Sequence, residues 1–163
     1  AVFSTHPASQ ERLQDIRTQV AAIPNPPTER GRDRYRAAIR PFLPRMLDAE
    51  LGQRRYAGAI LVIGELLADA PAADKGLLTF YLGEAHRRRG QPDDKARAAA
   101  LYAQAIALPG SPPAAWREHG FALRAAGDPR GARAALQRYL EQAPTAEDRA
   151  FVQRELDRLG GTP

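Results

Sequence analysis

Apolar residues recur along this chain at helical spacing in nearly every stretch, and no stretch alternates with the period of a strand. Leu13, Ile16, Val20 and Ile23 mark one face of a first helix, with Ser9 as its N-cap. Pro24-Asn25-Pro26-Pro27 ends it, because proline lacks a backbone donor and drives the residue before it extended. Residues 24–33 read as a Pro-rich linker. From Asp33 to Leu51 the helical pattern resumes but carries Pro41 and Pro44, which predict a break near Arg40. Further helices are expected over 54–68, 74–89, 93–108, 112–126 and 129–142, with Gly90 and Gly127 at two tight turns. Thr145-x-x-Asp148 then opens a last helix, in the manner of a capping box, that runs through Val152, Leu156 and Leu159 to Gly160-Gly161. Its outer face holds Glu147, Asp148, Arg149, Arg154, Asp157 and Arg158, as the water-facing end of a stacked array requires.

The helices repeat. Trp116, Gly120 and Leu123 precede Ala132-x3-Leu136 and Pro144, and upstream Leu82-Gly83-x2-His86 and Gly90 precede Ala98-x3-Tyr102, Ala105 and Leu108. This resembles the tetratricopeptide repeat, W-x2-L-G-x2-Y then A-x3-F and a proline, with His119 in the Leu slot and Leu123 in the Tyr slot. Gly83 and Gly120 stand 37 residues apart, against a unit of about 34. The excess falls at Gln91-Pro92-Asp93-Asp94, which predicts a longer turn between intact helices. A degenerate copy precedes these, with Gly52 at its turn, Tyr56-Ala57 opening a helix, Leu61 at the aromatic slot and Pro71 beyond its end. The two glycines are expected to let antiparallel helices touch, while Trp116, Leu123, Leu136 and Tyr139 fill the seam. The resemblance implies an all-α fold, a short right-handed α-solenoid of tetratricopeptide-like helix hairpins with a C-terminal capping helix. The domain reading is an N-terminal segment and helix over 1–23, the linker over 24–33 and a repeat domain over 34–163.

Composition narrows the chemistry. With 163 residues and 44% hydrophobic content, the chain suits one compact domain or a short solenoid, and it has no apolar run long enough for a transmembrane segment. The absence of cysteine removes disulfides, thiolate nucleophiles and cysteine metal sites, and fits either cytoplasm or periplasm. The sequence starts without methionine or a secretory leader, as a mature product or an excised piece would. Net charge is +5, and residues 1–60 hold ten arginines against six acidic residues. Arg30, Arg32, Arg34, Arg36 and Arg40 cluster around the linker and read either as a solvated helix face or as a contact for an anionic surface. No recognised nucleic-acid motif accompanies them, so nucleic acid is not an expected partner.

Ser4-Thr5-His6-Pro7 followed by Glu11-Arg12-Leu13 resembles the S-T-H-P…E-R-[IL] stretch of zinc metallopeptidases related to HtpX and to the BepA-like periplasmic proteases. In those proteins helical repeats follow the peptidase. The resemblance implies the C-terminal region beyond a catalytic core, an attached peptidase domain, outer-membrane assembly proteins among the partners, a role in envelope protein quality control, and a periplasmic location. Zinc is implied only for such an intact enzyme. The family motif here is Ser4, Thr5, His6, Pro7 and Arg12. A zinc site of that class needs histidines at i and i+4 with a glutamate base, whereas His6, His86 and His119 are far apart and no H-E-x-x-H occurs. Ser4, Ser9 and Ser111 lie in no G-x-S-x-G context. This fragment is therefore expected to have no catalytic residues, no metal ligands and no cofactor.

What remains is binding of a protein or peptide segment. Phasing from Gly83 and Gly120 projects Phe80, Glu84, Arg87 and Arg88, then Arg117, Phe121 and Arg124, into the concave groove that first helices of such repeats present. The arginines suit acidic groups and Phe121 an apolar side chain. The alternative for Arg87-Arg88-Arg89 is stabilisation by the C-terminal end of the helix dipole. His86 and His119 are read as packing residues, and Asp93-Asp94 as charges complementing a helix N-terminus. Asn25 is the sole asparagine, so a dicarboxylate clamp for a chaperone C-terminus is not expected. The competing functional reading is a freestanding adaptor or scaffold, cytoplasmic and unrelated to a protease; an enzyme in its own right is the third.

Overall fold

The computed structural model describes residues 9–24 and 31–160. All regular structure among the described residues is helical. Two compact units divide at Phe42/Leu43. The first holds α1 (Ser9–Ala21), α2 (Arg32–Ile39) and a 3-10 turn (Arg40–Phe42). Leu13, Ile16 and Val20 of α1 are exposed, as is Ile23 just beyond it, so its apolar stripe is uncovered. The break expected near Arg40 is present as the 3-10 turn, which places Pro41 where no helical donor is needed.

The second unit contains α3 (Leu43–Gly52), α4 (Tyr56–Ala68), α5 (Ala72–Arg89), α6 (Asp94–Ile106), α7 (Pro113–Ala125), α8 (Pro129–Gln142) and α9 (Arg149–Gly160). Helices α5 and α6 form one closely packed hairpin and α7 and α8 another, with α4 against α5 and α9 against α8. The unit is an all-α helical repeat solenoid. Its hairpins close where the sequence marks them. Gly90 takes the left-handed conformation (φ 67°) after α5 and its N–H bonds the His86 carbonyl, an α-turn that a residue with Cβ adopts at a cost. The Asp128 side chain caps α8 by accepting from the Gly131 N–H at 2.8 Å, with Pro129 opening the helix.

Gly83 and Gly120 sit at the two crossings. A Cβ built on Gly83 would lie 2.7 Å from Tyr102 Cε1, and one on Gly120 would lie 2.8 Å from Leu136 Cδ2, so each hairpin closes at a distance only glycine permits. One core joins Leu47, Leu51, Ala59, Ile63, Leu78, Ala85 and Tyr102; a second joins Leu136, Tyr139, Leu140, Val152 and Leu156, with Trp116 and Phe121 packed on it.

Two expectations are corrected. Leu61 does not fill the aromatic slot of the first, degenerate copy: it is 72% exposed, and Ala59 and Ile63 face the core instead. The A-x3-F spacing was matched two residues early on a helix that is apolar all round, where periodicity does not fix the inward face. The last helix starts at Arg149 rather than Thr145. Residues 145–148 form a turn in which the Arg149 N–H bonds the Ala146 carbonyl, and the Val152 N–H bonds that of Asp148.

Candidate functional site

The last two turns of α5 bury one acid, Glu84, and expose its cationic partners Arg87 and Arg88. Glu84 is 4% exposed. Arg87 grips it with a two-pronged fork (Nε to Oε1 2.8 Å, Nη2 to Oε2 2.7 Å), Arg88 donates to Oε2, and the Tyr102 hydroxyl donates to Oε1 at 2.7 Å. Burial favours the neutral acid, but the hydrogen bonds from Arg87 and Tyr102 outweigh it and hold the carboxyl below its ordinary range. Tyr102 is pushed up by its own burial and by the Glu84 charge, so it stays a donor.

The following turn holds a second such centre. Asp94 is fully buried and accepts from the Arg89 fork (2.8 and 2.7 Å), from His86 Nδ1 at 2.7 Å and from the Gln91 N–H at 2.9 Å. Arg89 is the main cause that its carboxyl lies well below the usual range, with His86 and the Gln91 N–H assisting and burial opposing. Asp94 thus does more than complement a helix dipole: it laces the end of α5 to the start of α6.

Of the seven residues projected into a groove, Phe80 and Glu84 do not reach solvent. Phe80 is 7% exposed and packs edge-on to Tyr81, with ring centroids 5.2 Å apart. The projection placed residues by spacing alone, and both side chains fall on the stripe of α5 that meets α6 and the preceding helices. Arg117 and Arg124 face the last helix. Arg117 bonds Glu118 and Asp148 with its guanidinium over the Tyr139 ring, and Arg124 bonds Glu155 with its guanidinium over Phe121. Arg88 is exposed but engaged by Glu84. The remaining two, Arg87 and Phe121, do line a common cleft.

That cleft, of about 370 Å³, lies between the α5–α6 hairpin and α7. Its floor is small and apolar: Ala98 and Tyr102 from α6, and Phe121, Ala122 and Ala125 from α7. Its rim is polar, with Arg87, Gln91, Lys95 and Glu118. Glu118 is already committed to Arg117, and Arg87 to Glu84. Lys95 has no carboxylate within ion-pair distance among the described residues. Sequence reasoning missed Lys95, Glu118 and the alanines. The available signal was lysine itself, since only Lys75 and Lys95 break a run of arginines among 24 basic residues.

Both packing histidines are accounted for. His86 is buried on Asp94, and His119 is partly buried with an Nδ1 that is shielded from water and lacks a partner. Burial lowers the pKa of His119. Ser4, Thr5, His6 and Pro7 lie outside the described residues, while Arg12 is exposed on α1. No group of three metal-ligating side chains occurs, and no helix is long and apolar enough to cross a membrane, among the described residues.

Residues 82–157 match the tetratricopeptide repeat family. The match and the paired helices support a tetratricopeptide-repeat protein. The matched stretch begins beside Gly83 in the second half of α5, runs through α6, α7 and α8 and ends in α9, so it contains the cleft and most of the ion-pair lacing. No curated protein matches the chain. Tetratricopeptide repeats generally mediate protein–protein interaction, through surfaces that stacked helices hold rigid.

Proposed function

We propose that the second unit is a noncatalytic peptide-binding module whose cleft between α5–α6 and α7 receives one apolar side chain of a partner segment. The carrying observation is the combination of an alanine-and-aromatic floor with an unpaired ammonium at the rim. Phe121, Ala122 and Ala125 favour a compact apolar group, and Lys95 favours an acidic group beside it. Arg87 is pre-oriented by Glu84, so it contributes a fixed donor without an ordering cost. Selection of peptides from a random display library tests this. Enriched peptides should carry an apolar residue next to an acid, and Ala122→Trp, which fills the floor, should abolish their binding. Arg154→Glu on the exposed face of α9 should leave it intact. Equal binding by the Ala122→Trp protein would overturn the assignment of the cleft.

The setting we propose is the C-terminal side of a zinc metallopeptidase of the bacterial envelope, with the module presenting envelope or outer-membrane assembly proteins to the enzyme in the periplasm. Support comes from the Ser4-Thr5-His6-Pro7 and Arg12 resemblance standing ahead of a repeat array. Any zinc belongs to that upstream enzyme. The reading frame preceding Ala1 decides: an H-E-x-x-H helix there sustains the setting, and its absence leaves a freestanding adaptor, with the cytoplasm again open.

A further inference from the structure

The chain's other lysine marks a second cleft. Leu67 and Ala68 of α4, Lys75, Thr79 and Leu82 of α5, Leu101 and Gln104 of α6, and Leu108 just beyond its end enclose about 400 Å³. Helix α6 is the wall shared by both clefts. Ala98 and Tyr102 stand on one of its stripes, while Leu101 and Gln104, three apart, stand on another, with Leu108 just past the helix end.

The two lysines occupy matching settings. Each follows an aspartate in sequence, Asp74-Lys75 and Asp94-Lys95, near the start of its helix. In both cases the aspartate is buried and the lysine is exposed. Neither ammonium has a carboxylate within ion-pair distance among the described residues, whereas Arg87, Arg88, Arg89, Arg117 and Arg124 are all engaged. The first turn of a helix is also where its dipole disfavours a cation. Lys75 therefore gains nothing from its own protein at that place, while its charge stands at the mouth of a leucine-lined hollow.

We infer that this second cleft is a binding site for an acidic peptide segment, taking a leucine-sized aliphatic side chain against Leu82, Leu101 and Leu108 and its neighbouring carboxylate on Lys75. Charge complementarity selects the occupant. An aliphatic group alone would leave the ammonium and the Gln104 amide without partners at the rim, and an aromatic floor like that of Phe121 is missing here. The inference rests on the peptide-binding reading of the first cleft and adds a second, differently shaped subsite, aliphatic where the first is alanine-and-aromatic.

The two clefts are separable by methyl and amide NMR on the full chain titrated with a blocked dipeptide of leucine and aspartate, and with the leucine–asparagine analogue. The expected result is saturable shifts of the Leu82, Leu101 and Leu108 methyls, about fivefold weaker with the uncharged analogue, as a screened ion pair at a cleft mouth implies. Lys75→Glu should weaken those shifts by at least that factor and leave the fold intact, because an acid suits the first turn of α5. Lys95→Glu should leave them unchanged. Shifts at Ala122 and Ala125 without shifts at Leu82, Leu101 and Leu108 would overturn the second site and leave the first standing. Shifts at the second cleft that ignore Lys75→Glu would overturn the charge-based recognition. Silence at both clefts would sink the peptide-binding reading together with the site.

Discussion

Replacing Gly83 by alanine should destabilise the protein, and the same replacement should become favourable once Tyr102 is cut back. The added Cβ falls 2.7 Å from Tyr102 Cε1, 3.0 Å from Cδ1 and 3.4 Å from Leu101 Cβ. Carbon atoms rest about 3.5–4.0 Å apart, so the ring must retreat by nearly an ångström. It has nowhere to go: Tyr102 is almost fully buried, and its hydroxyl is fixed on Glu84 Oε1 at 2.7 Å. Overpacking of this kind costs about 3 kcal/mol at the upper end, while alanine in a helix interior recovers about 1 kcal/mol over glycine. The net loss is about 2 kcal/mol, or a fall of about 4–8 °C in melting temperature for a chain of this length. In a Tyr102→Ala background the clash disappears and the propensity gain remains, so Gly83→Ala should stabilise that protein by about 1 kcal/mol. Urea midpoints for the four proteins of this cycle, followed by helical circular dichroism, give a coupling of about 3 kcal/mol. Gly64→Ala is the control, since a Cβ there meets nothing within 4 Å and should stabilise the chain. If Gly83→Ala is neutral in the wild type, or equally costly in both backgrounds, close approach at this glycine is not what holds α5 to α6.

Two further outcomes follow from the buried charges. Glu84 has its pKa lowered in the fold from 4.5; its stabilisation is therefore complete above the unfolded value and is lost as pH falls through the folded one. Urea midpoints of the wild type should drop as pH falls below 4.5, and Glu84→Gln should cost about 2 kcal/mol at pH 7, discounted for the exposure of Arg87, and flatten the acid slope. His119 behaves in the opposite sense of charge, since burial lowers its pKa from 6.5. The unfolded chain takes up that proton first, so stability falls as pH drops through 6.5 towards the folded value. His119→Leu removes an unpartnered buried nitrogen, should raise stability by about 1 kcal/mol at pH 7, and should abolish the pH dependence in that window, measured by thermal melts.

The helices were legible because their apolar residues recur with one period and are punctuated by residues that stop helices for steric reasons. Pro41, Gly90 and the Asp128-Pro129 pair each sit where a boundary was expected. Helix α4 was misplaced in rotation because Ala57, Ala59, Leu61 and Ile63 offer two equally good apolar stripes, and only contact with α5 chooses Ala59 and Ile63. The loop between α6 and α7 was legible as a break between two helices, but the contact it makes was not. The Gly76 N–H bonds the Pro109 carbonyl at 2.9 Å, a contact that no local pattern announces because it joins α5 to the chain just beyond α6.

The candidate site divides along the same physical line. Spacing tells which side chains share a helix face, and it brought Arg87 and Phe121 to one cleft. It does not tell what a long cation reaches for once that face is covered. An arginine at a helix surface has a long stem and a five-donor fork, so its partner can be an acid that a neighbouring element presents. Arg117 and Arg124 find Asp148 and Glu155, 31 residues on. Their charges hold α9 in place and are largely spent before any ligand arrives. The cleft that Arg87 and Phe121 share is an apolar hollow with Lys95 at its rim, and Lys95 has no carboxylate within ion-pair distance among the described residues. Arg89, Arg117 and Arg124 are thus committed to acids beyond their own helices, whereas Lys75 and Lys95 stand exposed beside the two clefts with no carboxylate within ion-pair distance among the described residues.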